Sequence, residues 1–444
     1  MKKINLRFLL FWSVIFLITP VICQRITCIL FKINVLKIAK NEKTEGTGQN
    51  DYEAIFSNLS SQNSQKPPSH FSHLTFHSCS HFSTKFAPIL FYLYSLKHSS
   101  LNLIEFTPKG MYCEPGDFYI DPWRPVERAI ITHGHADHSR HGHKYYMSHH
   151  DTIPIMKARL GFNIYEGLSY GEIRMINGVK VSLHPAGHII GSAQVRVEYK
   201  GEIWVASGDY KTEFDGLSPA FEPVKCHTFI TESTFGLPVY NWSPQQAIFD
   251  DMNQWWQHNK ERGITSVILA YSLGKAQRIL FNIDKSIGPI YVHGAIENMN
   301  DAVISAGYKL PPTQKVESGM KKDAFKHALV IAPPSAAGSA WLKKFNPHSL
   351  GVTSGWMAVR GGRSWQSADK GFALSDHADW KGLNWAIKET GAHRVIVTHG
   401  YTDVFSKWLN ENGYDSRTVE TRFTGDAPGP AAEDDEIVIE EQSA

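Results

Sequence analysis

The sequence predicts a mixed α/β fold in which one α/β domain is interrupted by another. Three observations lead there. From Leu103 onward, short apolar runs are separated by Gly, Pro and Asp, which reads as the strand-rich half of a sandwich. At Ser243 longer, helix-like segments take over, and beyond Ser354 the strand–loop–helix style of the first half resumes. The 444 residues are 42% hydrophobic and 20% charged, which supplies a large core and excludes a wholly disordered or fibrous chain. A net charge of only +2 gives no global basic field. The unusual ratio is 22 His to 5 Cys; without any CxxC pair, it argues against both a disulfide framework and a thiolate zinc site.

Taken in order, the chain opens with Lys2, Lys3 and Arg7 ahead of an apolar run from Phe8 to Cys23. That is the pattern of a signal peptide or a single membrane anchor. From Gln24 to Ser100, Ser, His, Phe and Asn dominate with no sustained period, and residues 67–85 offer neither helix nor strand. Residues 1–100 are therefore expected to be a mis-assigned start, with translation beginning near Leu101. With that leader set aside, the protein is expected to be cytoplasmic and free of the membrane.

Strands are predicted at Leu103–Phe106, Phe118–Ile120, Ala129–Ile131, Val179–Leu183, Gln194–Tyr199, Ile203–Ala206 and Thr228–Ile230. Residues 101–242 form the first part of the outer domain. In 243–355, Ser243 reads as an N-cap before a first-turn Pro, opening a helix over Pro244–His258. The buried strand Ser266–Ala270 and a helix over Gly274–Ile287 follow. Residues 356–426 return to the outer domain through strand Phe372–Leu374, helix Trp380–Thr390, strand Arg394–Val397 and helix Thr402–Asn412. Residues 427–444 are an acidic, solvated tail. The leader is basic, the tail acidic and the body between them near neutral, so any attraction for phosphate must come from local groups.

The centre of the sequence is Thr132-His133-Gly134-His135-Ala136-Asp137-His138, delivered by an apolar strand. His133 and His135, two apart with a glycine between, can turn to one centre, and Asp137 and His138 to a neighbouring one. Imidazole and carboxylate without thiolate suit Zn²⁺, with Mn²⁺ as substitute. Further ligands stand at later strand ends: His188 after Pro185-Ala186-Gly187, Asp209 after Ser207-Gly208, and His399 in Thr398-His399-Gly400. Asp209 is placed to bridge two ions. His184, just before Pro185, is expected to bond elsewhere. Arg140-His141-Gly142-His143 reads as a surface cluster.

These residues, with Asp121, resemble the metal signature of the metallo-β-lactamase fold. Glu232 in Thr231-Glu232-Ser233-Thr234, His377 in Ser375-Asp376-His377-Ala378-Asp379, and His399 resemble the additional motifs of its β-CASP nuclease branch. Phe106-Thr107-Pro108-Lys109-Gly110, Gly116-Asp117-Phe118-Tyr119-Ile120-Asp121-Pro122-Trp123 and Gly355-Trp356-Met357 are similar to bacterial DNA-ligase-associated exonucleases. The resemblance covers about residues 103–426. It implies an αββα sandwich carrying an inserted β-CASP cap, with two Zn²⁺ (or Mn²⁺) per chain. One ion would be held by His133, His135, His188 and Asp209, the other by Asp137, His138, Asp209 and His399, with Asp121 orienting the site.

The activity implied is an exonuclease acting on DNA ends in repair, beside an ATP-dependent DNA ligase and a helicase. His399 is the feature more typical of RNA-acting members, so RNA processing is the competing reading; a non-nuclease metallo-hydrolase is a third. Asp209, Glu232 and His377 are the expected catalytic residues. His377 would protonate the leaving 3′ oxygen while Glu232 stabilises its imidazolium form. Ser272 and Lys275, at a helix start, and Arg360 and Arg363, in a glycine-rich loop, are candidates for phosphate contact. Ser335–Ser339 is a further candidate helix start. Trp255 and Trp256 are expected in the core of the insertion rather than as a stacking platform.

Overall fold

Residues 102–360 and 368–423 are described by the computed structural model. The leader 1–100, the tail 427–444 and Arg363 lie outside the described residues.

The first sheet holds β1 (Glu105–Thr107), β2 (Gly110–Cys113), β3 (Phe118–Ile120), β4 (Arg128–Ile130), β5 (Tyr145–His149) and β6 (Ile164–Leu168), adjacent in that order. It begins as an antiparallel meander and turns parallel from β3 onward. Helix α1 (Thr152–Leu160) makes the crossover that a parallel β5–β6 pair requires. The second sheet takes β7 (Ile173–Ile176), β8 (Val179–Pro185), β9 (Ala193–Tyr199), β10 (Glu202–Ala206) and β11 (Thr228–Ser233).

The chain then leaves this sheet. Helix α2 (Gln245–Glu261), β12 (Thr265–Leu269), α3 (Lys275–Asn282), β13 (Ile290–Val292), α4 (Gly294–Ser305), β14 (Gln314–Lys315), β15 (Leu329–Ala332), β16 (His348–Thr353) and β17 (Lys370–Phe372) follow. Their strands form a third sheet, wholly parallel, in the order β14-β13-β15-β12-β16-β17. Every residue of β12 and β15 is buried, as expected of strands covered on both faces. The chain returns through α5 (Trp380–Thr390), β18 (Arg394–Gly400), α6 (Thr402–Glu411) and β19 (Asp415–Thr418), where β18 pairs parallel to β11 and completes the second sheet.

Side-chain alternation sets the layers. Ile130 faces Leu183, Val195 and Trp204 in a core between the first two sheets, whereas its neighbours Ala129 and Ile131 pack outward on α1 residues Met156 and Leu160. In the same way Trp204 and Ala206 point inward, and Val205 points out to Leu383 of α5 and Leu409 of α6. The body is therefore layered helix–sheet–sheet–helix. Trp255 and Trp256 belong to the core of the third sheet, with Trp256 fully buried.

Several expectations are corrected. Pro244 has extended backbone (ψ 130°) and is the cap position, so α2 starts one residue later than the Ser243 cap implied. Helix α3 stops at Asn282, because Ile283 is already extended. The strand expected at Phe372–Leu374 lies at Lys370–Phe372 and belongs to the third sheet, beyond the boundary at 355. Pro334–Ala336 is one 3₁₀ turn, too short for a helix N-terminal site. His143 is buried against Tyr146 rather than exposed, and burial pushes its pKa down to about 4.

Candidate metal centre

Strand ends bring the predicted residues together. Within the first sheet β3 and β4 run parallel, and within the second β10, β11 and β18 do, so each sheet gathers the C-terminal ends of these strands at one edge, where the side chains below meet. Asp121 follows β3, the His133–His138 loop follows β4, Asp209 follows β10, Glu232 lies in β11, and His399 lies near the end of β18. His188 arrives from the end of β8. Gly187 before it has φ +75°, and a Cβ there would stand 2.1 Å from the Lys211 carbonyl oxygen, so only glycine allows this approach.

One ligand atom each from His133, His135, His188 and Asp209 lie within 4.8 Å of one another. Asp209 also reaches the other expected group, with its Oδ2 3.5 Å from His138 Nε2 and its Oδ1 3.1 Å from His399 Nε2. Asp137 Oδ2 stands 3.7 Å from His138 Nε2. All these side chains except His135 are buried.

The tautomers are fixed by partners that can only accept. His188 Nδ1 donates to the Asp376 carbonyl (2.8 Å) and His135 Nε2 to the Leu273 carbonyl (3.2 Å). His138 Nδ1 donates to Asp121 Oδ2 (2.8 Å). The Thr132 hydroxyl gives its own proton to Asp121 Oδ2 (2.6 Å), so it accepts from His133 Nδ1 (3.0 Å). The Thr398 hydroxyl donates to the Thr231 carbonyl (3.1 Å) and so accepts from His399 Nδ1 (3.3 Å). In each neutral ring the remaining nitrogen carries a lone pair turned into the site. Nε2 of His133, His138 and His399, and Oδ1 of Asp209, are buried without any hydrogen bond. Five convergent lone pairs with one shared carboxylate fit divalent cations.

Electrostatics agree. Burial, then His138 and His188, hold His133 well below the ordinary imidazole range, and burial with His377 and His135 beside it lowers His188 to about 4. Burial also opposes charge on His138, but Asp137, Asp209 and Asp121 outweigh it and raise His138 well above that range. Burial alone would push the Asp209 carboxyl up; His138 and His399 hold it well below the usual carboxylate range. The site therefore draws positive charge towards Nε2 of His138.

Asp121 is fully buried, accepts from the Thr132 amide (2.8 Å), and has φ +41°, a left-handed conformation uncommon outside glycine that Asp and Asn accommodate best. Beside the ligand group, His377 Nδ1 lies 2.9 Å from both Glu232 oxygens, and the His377 and His188 rings are 4.7 Å apart. Glu232 is further held by the Tyr210 amide (2.8 Å) and the Thr234 hydroxyl (2.5 Å). One oxygen or nitrogen each from Asp209, Glu232 and His377 also lie within 4.8 Å of one another.

The phosphate candidates fare differently. Lys275 opens α3, as the sequence implied, but it is fully buried and paired with Asp376 Oδ2 at 3.7 Å, which corrects the expectation that it is available to a phosphate. Ser272 is half-buried and its carbonyl accepts from Gln277 Nε2 (2.9 Å). Arg360 ends the short helical turn Met357–Arg360. His184 bonds Ser182 and takes no part in the centre. Unforeseen were the two threonines, although each sits in a repeated Thr-His-Gly (132–134 and 398–400) that offered the signal. Phe423 was unforeseen too; it stacks on His138 with centroids 4.2 Å apart and planes 6° from parallel.

No family model matches the chain. It is 27% identical over 314 residues to a protein of Opitutus terrae named "Probable DNA ligase", covering 70% of this chain and 30% of that one. It is 26% identical over 221 residues to an RNase J-like protein of Methanocaldococcus jannaschii, covering 42% and 52%. To the endoribonuclease YSH1 of Kluyveromyces lactis it is 29% identical over 126 residues, covering 28% and 16%. The chain thus spans between about a sixth and a half of the length of these relatives. Its mixed α/β architecture with several sheets fits the metallo-β-lactamase and β-CASP proteins these relatives suggest. Among the described residues, no helix is long and apolar enough to cross a membrane.

Proposed function

We propose that this protein is a two-metal phosphodiester hydrolase, an exonuclease acting on DNA ends in repair. The observation that carries the reading is the Glu232–His377 pair standing beside five histidine lone pairs that converge on Asp209. His133, His135, His188 and Asp209 would hold one Zn²⁺, and Asp137, His138, Asp209 and His399 the other, with Mn²⁺ as substitute. When bound, two such ions supply a water nucleophile at neutral pH and charge stabilisation at the phosphoryl group.

The chain's own residues supply the rest. Glu232 fixes Nδ1 of His377, so its Nε2 is the nitrogen directed away from the carboxylate and able to hold a proton for the leaving 3′ oxygen. Asp121 and the threonines hold the ligand rings in the tautomer that binding requires. The inserted third sheet, read as the cap, would close over the site and exclude water.

DNA is favoured by the relative named a DNA ligase. An ATP-dependent ligase and a helicase are the partners that the family resemblance implies, and the cytoplasm is the proposed location. RNA is the second reading, favoured by His399 at 3.1 Å from Asp209 and by relatives named for ribonuclease activity. The test is a product-length assay on matched end-labelled single-stranded DNA and RNA, with and without Zn²⁺ or Mn²⁺. Metal-dependent stepwise shortening of DNA is expected. Cleavage of RNA alone would favour the second reading, and cleavage of neither would overturn both.

A further inference from the structure

The two expected ligand groups differ in what orients them. His133, His138 and His399 take their tautomers from Thr132, Asp121 and Thr398, all within the two-sheet body. His135 looks across to the inserted segment directly, and His188 is linked to it through Asp376 of the body. His135 donates directly to the Leu273 carbonyl, just ahead of α3. His188 donates to the carbonyl of Asp376, whose side chain is gripped by α3: Arg278 Nη1 reaches Asp376 Oδ1 at 3.1 Å and the Ser375 carbonyl at 2.6 Å, and Lys275 Nζ stands 3.7 Å from Asp376 Oδ2. Gln245 Oε1 accepts from Nε and Nη2 of Arg278 and fixes the guanidinium plane. His377 follows Asp376 directly.

Adhesion does not account for these charges. Ile155 and Ile189 of the body already pack on Leu273, Met299 and Val303 of the insertion. Burying Lys275, Arg278 and Asp376 adds a desolvation cost that an apolar contact would avoid. What the charged cluster adds is direction, because a guanidinium shared between a carboxylate and a carbonyl tolerates little displacement. Gly274 serves the same seating: its φ is +88°, and a Cβ there would meet Ile189 Cγ2 at 2.3 Å.

We propose that Arg278 and Lys275 are positioning residues that, with the Leu273 carbonyl, seat the insertion on the body. Seating completes the metal group of His133, His135, His188 and Asp209, whereas that of Asp137, His138, Asp209 and His399 is built without it. This inference rests on the two-metal reading above.

The test uses the full chain loaded with Zn²⁺, without substrate, and a chromophoric chelator as competitor. Wild type is expected to hold two equivalents. Arg278→Met is expected to hold one of them at least tenfold more weakly and the other unchanged, with faster amide exchange over residues 374–379. Arg278→Lys should restore part of the loss. Gln245→Ala, which keeps the buried charge, should shift the same single equivalent by a smaller factor, and it serves if Arg278→Met does not fold. On cleaved substrate the expected signature is a lower kcat at unchanged KM. Two equivalents as tight as wild type, or both weakened alike, would overturn the inference alone. A wild-type chain that binds no metal would overturn the two-metal reading itself.

Discussion

Nδ1 of His135 and Nε2 of His188 face each other across 3.1 Å. Each ring commits its other N–H to a carbonyl, so in the neutral state two lone pairs confront one another. Only a positive charge between them removes the repulsion. Stripping metal with a chelator should therefore lower Tm, and returning Zn²⁺ should raise it. At free metal a hundred times Kd, linkage contributes about 2.7 kcal/mol per site. Scanning calorimetry of stripped and reloaded protein reads this directly. Identical Tm values would mean that the folded state does not bind the ion.

Asp121 receives the Thr132 amide, the Thr132 hydroxyl and His138 Nδ1 on two oxygens. Asp121→Asn keeps the shape and tolerates positive φ, but it turns an NH₂ towards at least one donor. Metal affinity should fall about 10–100-fold, as for other partners of ligand histidines, with the far-UV circular dichroism unchanged. Chelator competition measures it. Wild-type affinity would show that Asp121 does not govern the ligand ring.

His377→Ala should keep both metal equivalents and lose about 10²–10⁴-fold in turnover, the range of a general acid. Glu232→Gln should follow it, because an amide cannot accept from the Tyr210 amide, the Thr234 hydroxyl and His377 together. Metal content by elemental analysis and single-turnover rates separate the roles. If His377→Ala released a metal, His377 would be a ligand.

The site was more legible than the frame around it. His133, His135, Asp137 and His138 are local in sequence, and His188, Asp209 and His399 each follow or end an apolar strand, so residue type and strand position, with the family resemblance, were enough to gather them as candidates, and the fold brings them close together. Strands β5 to β7 were missed because they are short: Tyr145–His149 ends in Ser and His, and the edge strands β6 and β7 leave apolar residues such as Ile164 and Met175 exposed, so no alternation of apolar and polar positions marks them. The burial of Lys275 was not legible because a helix start looks the same in sequence whether it faces solvent or a buried carboxylate. The Leu273 and Asp376 carbonyls carry no side-chain signal at all. His143 illustrates the same limit: a histidine in a polar run gives no sign that Tyr146 will cover it.

That buried histidine makes stability pH-dependent. Burial lowers His143 to about 4, with His141 adding to the shift and a backbone contact at Pro122 opposing it. In the unfolded chain the ring titrates near 6.5, so between roughly pH 6.5 and 4 the unfolded state binds a proton that the folded state refuses. Stability attributable to this ring is therefore complete above about pH 6.5, declines as pH falls, and levels off below 4. His143→Phe removes the titration and keeps a ring against Tyr146. Urea midpoints at pH 7.5 and 4.5 should show the variant losing less on acidification than the wild type, by on the order of 1–2 kcal/mol. Any metal released by acid leaves from both proteins alike and cancels in the comparison. Equal losses would assign the acid sensitivity to other groups and return His143 to a packing role only.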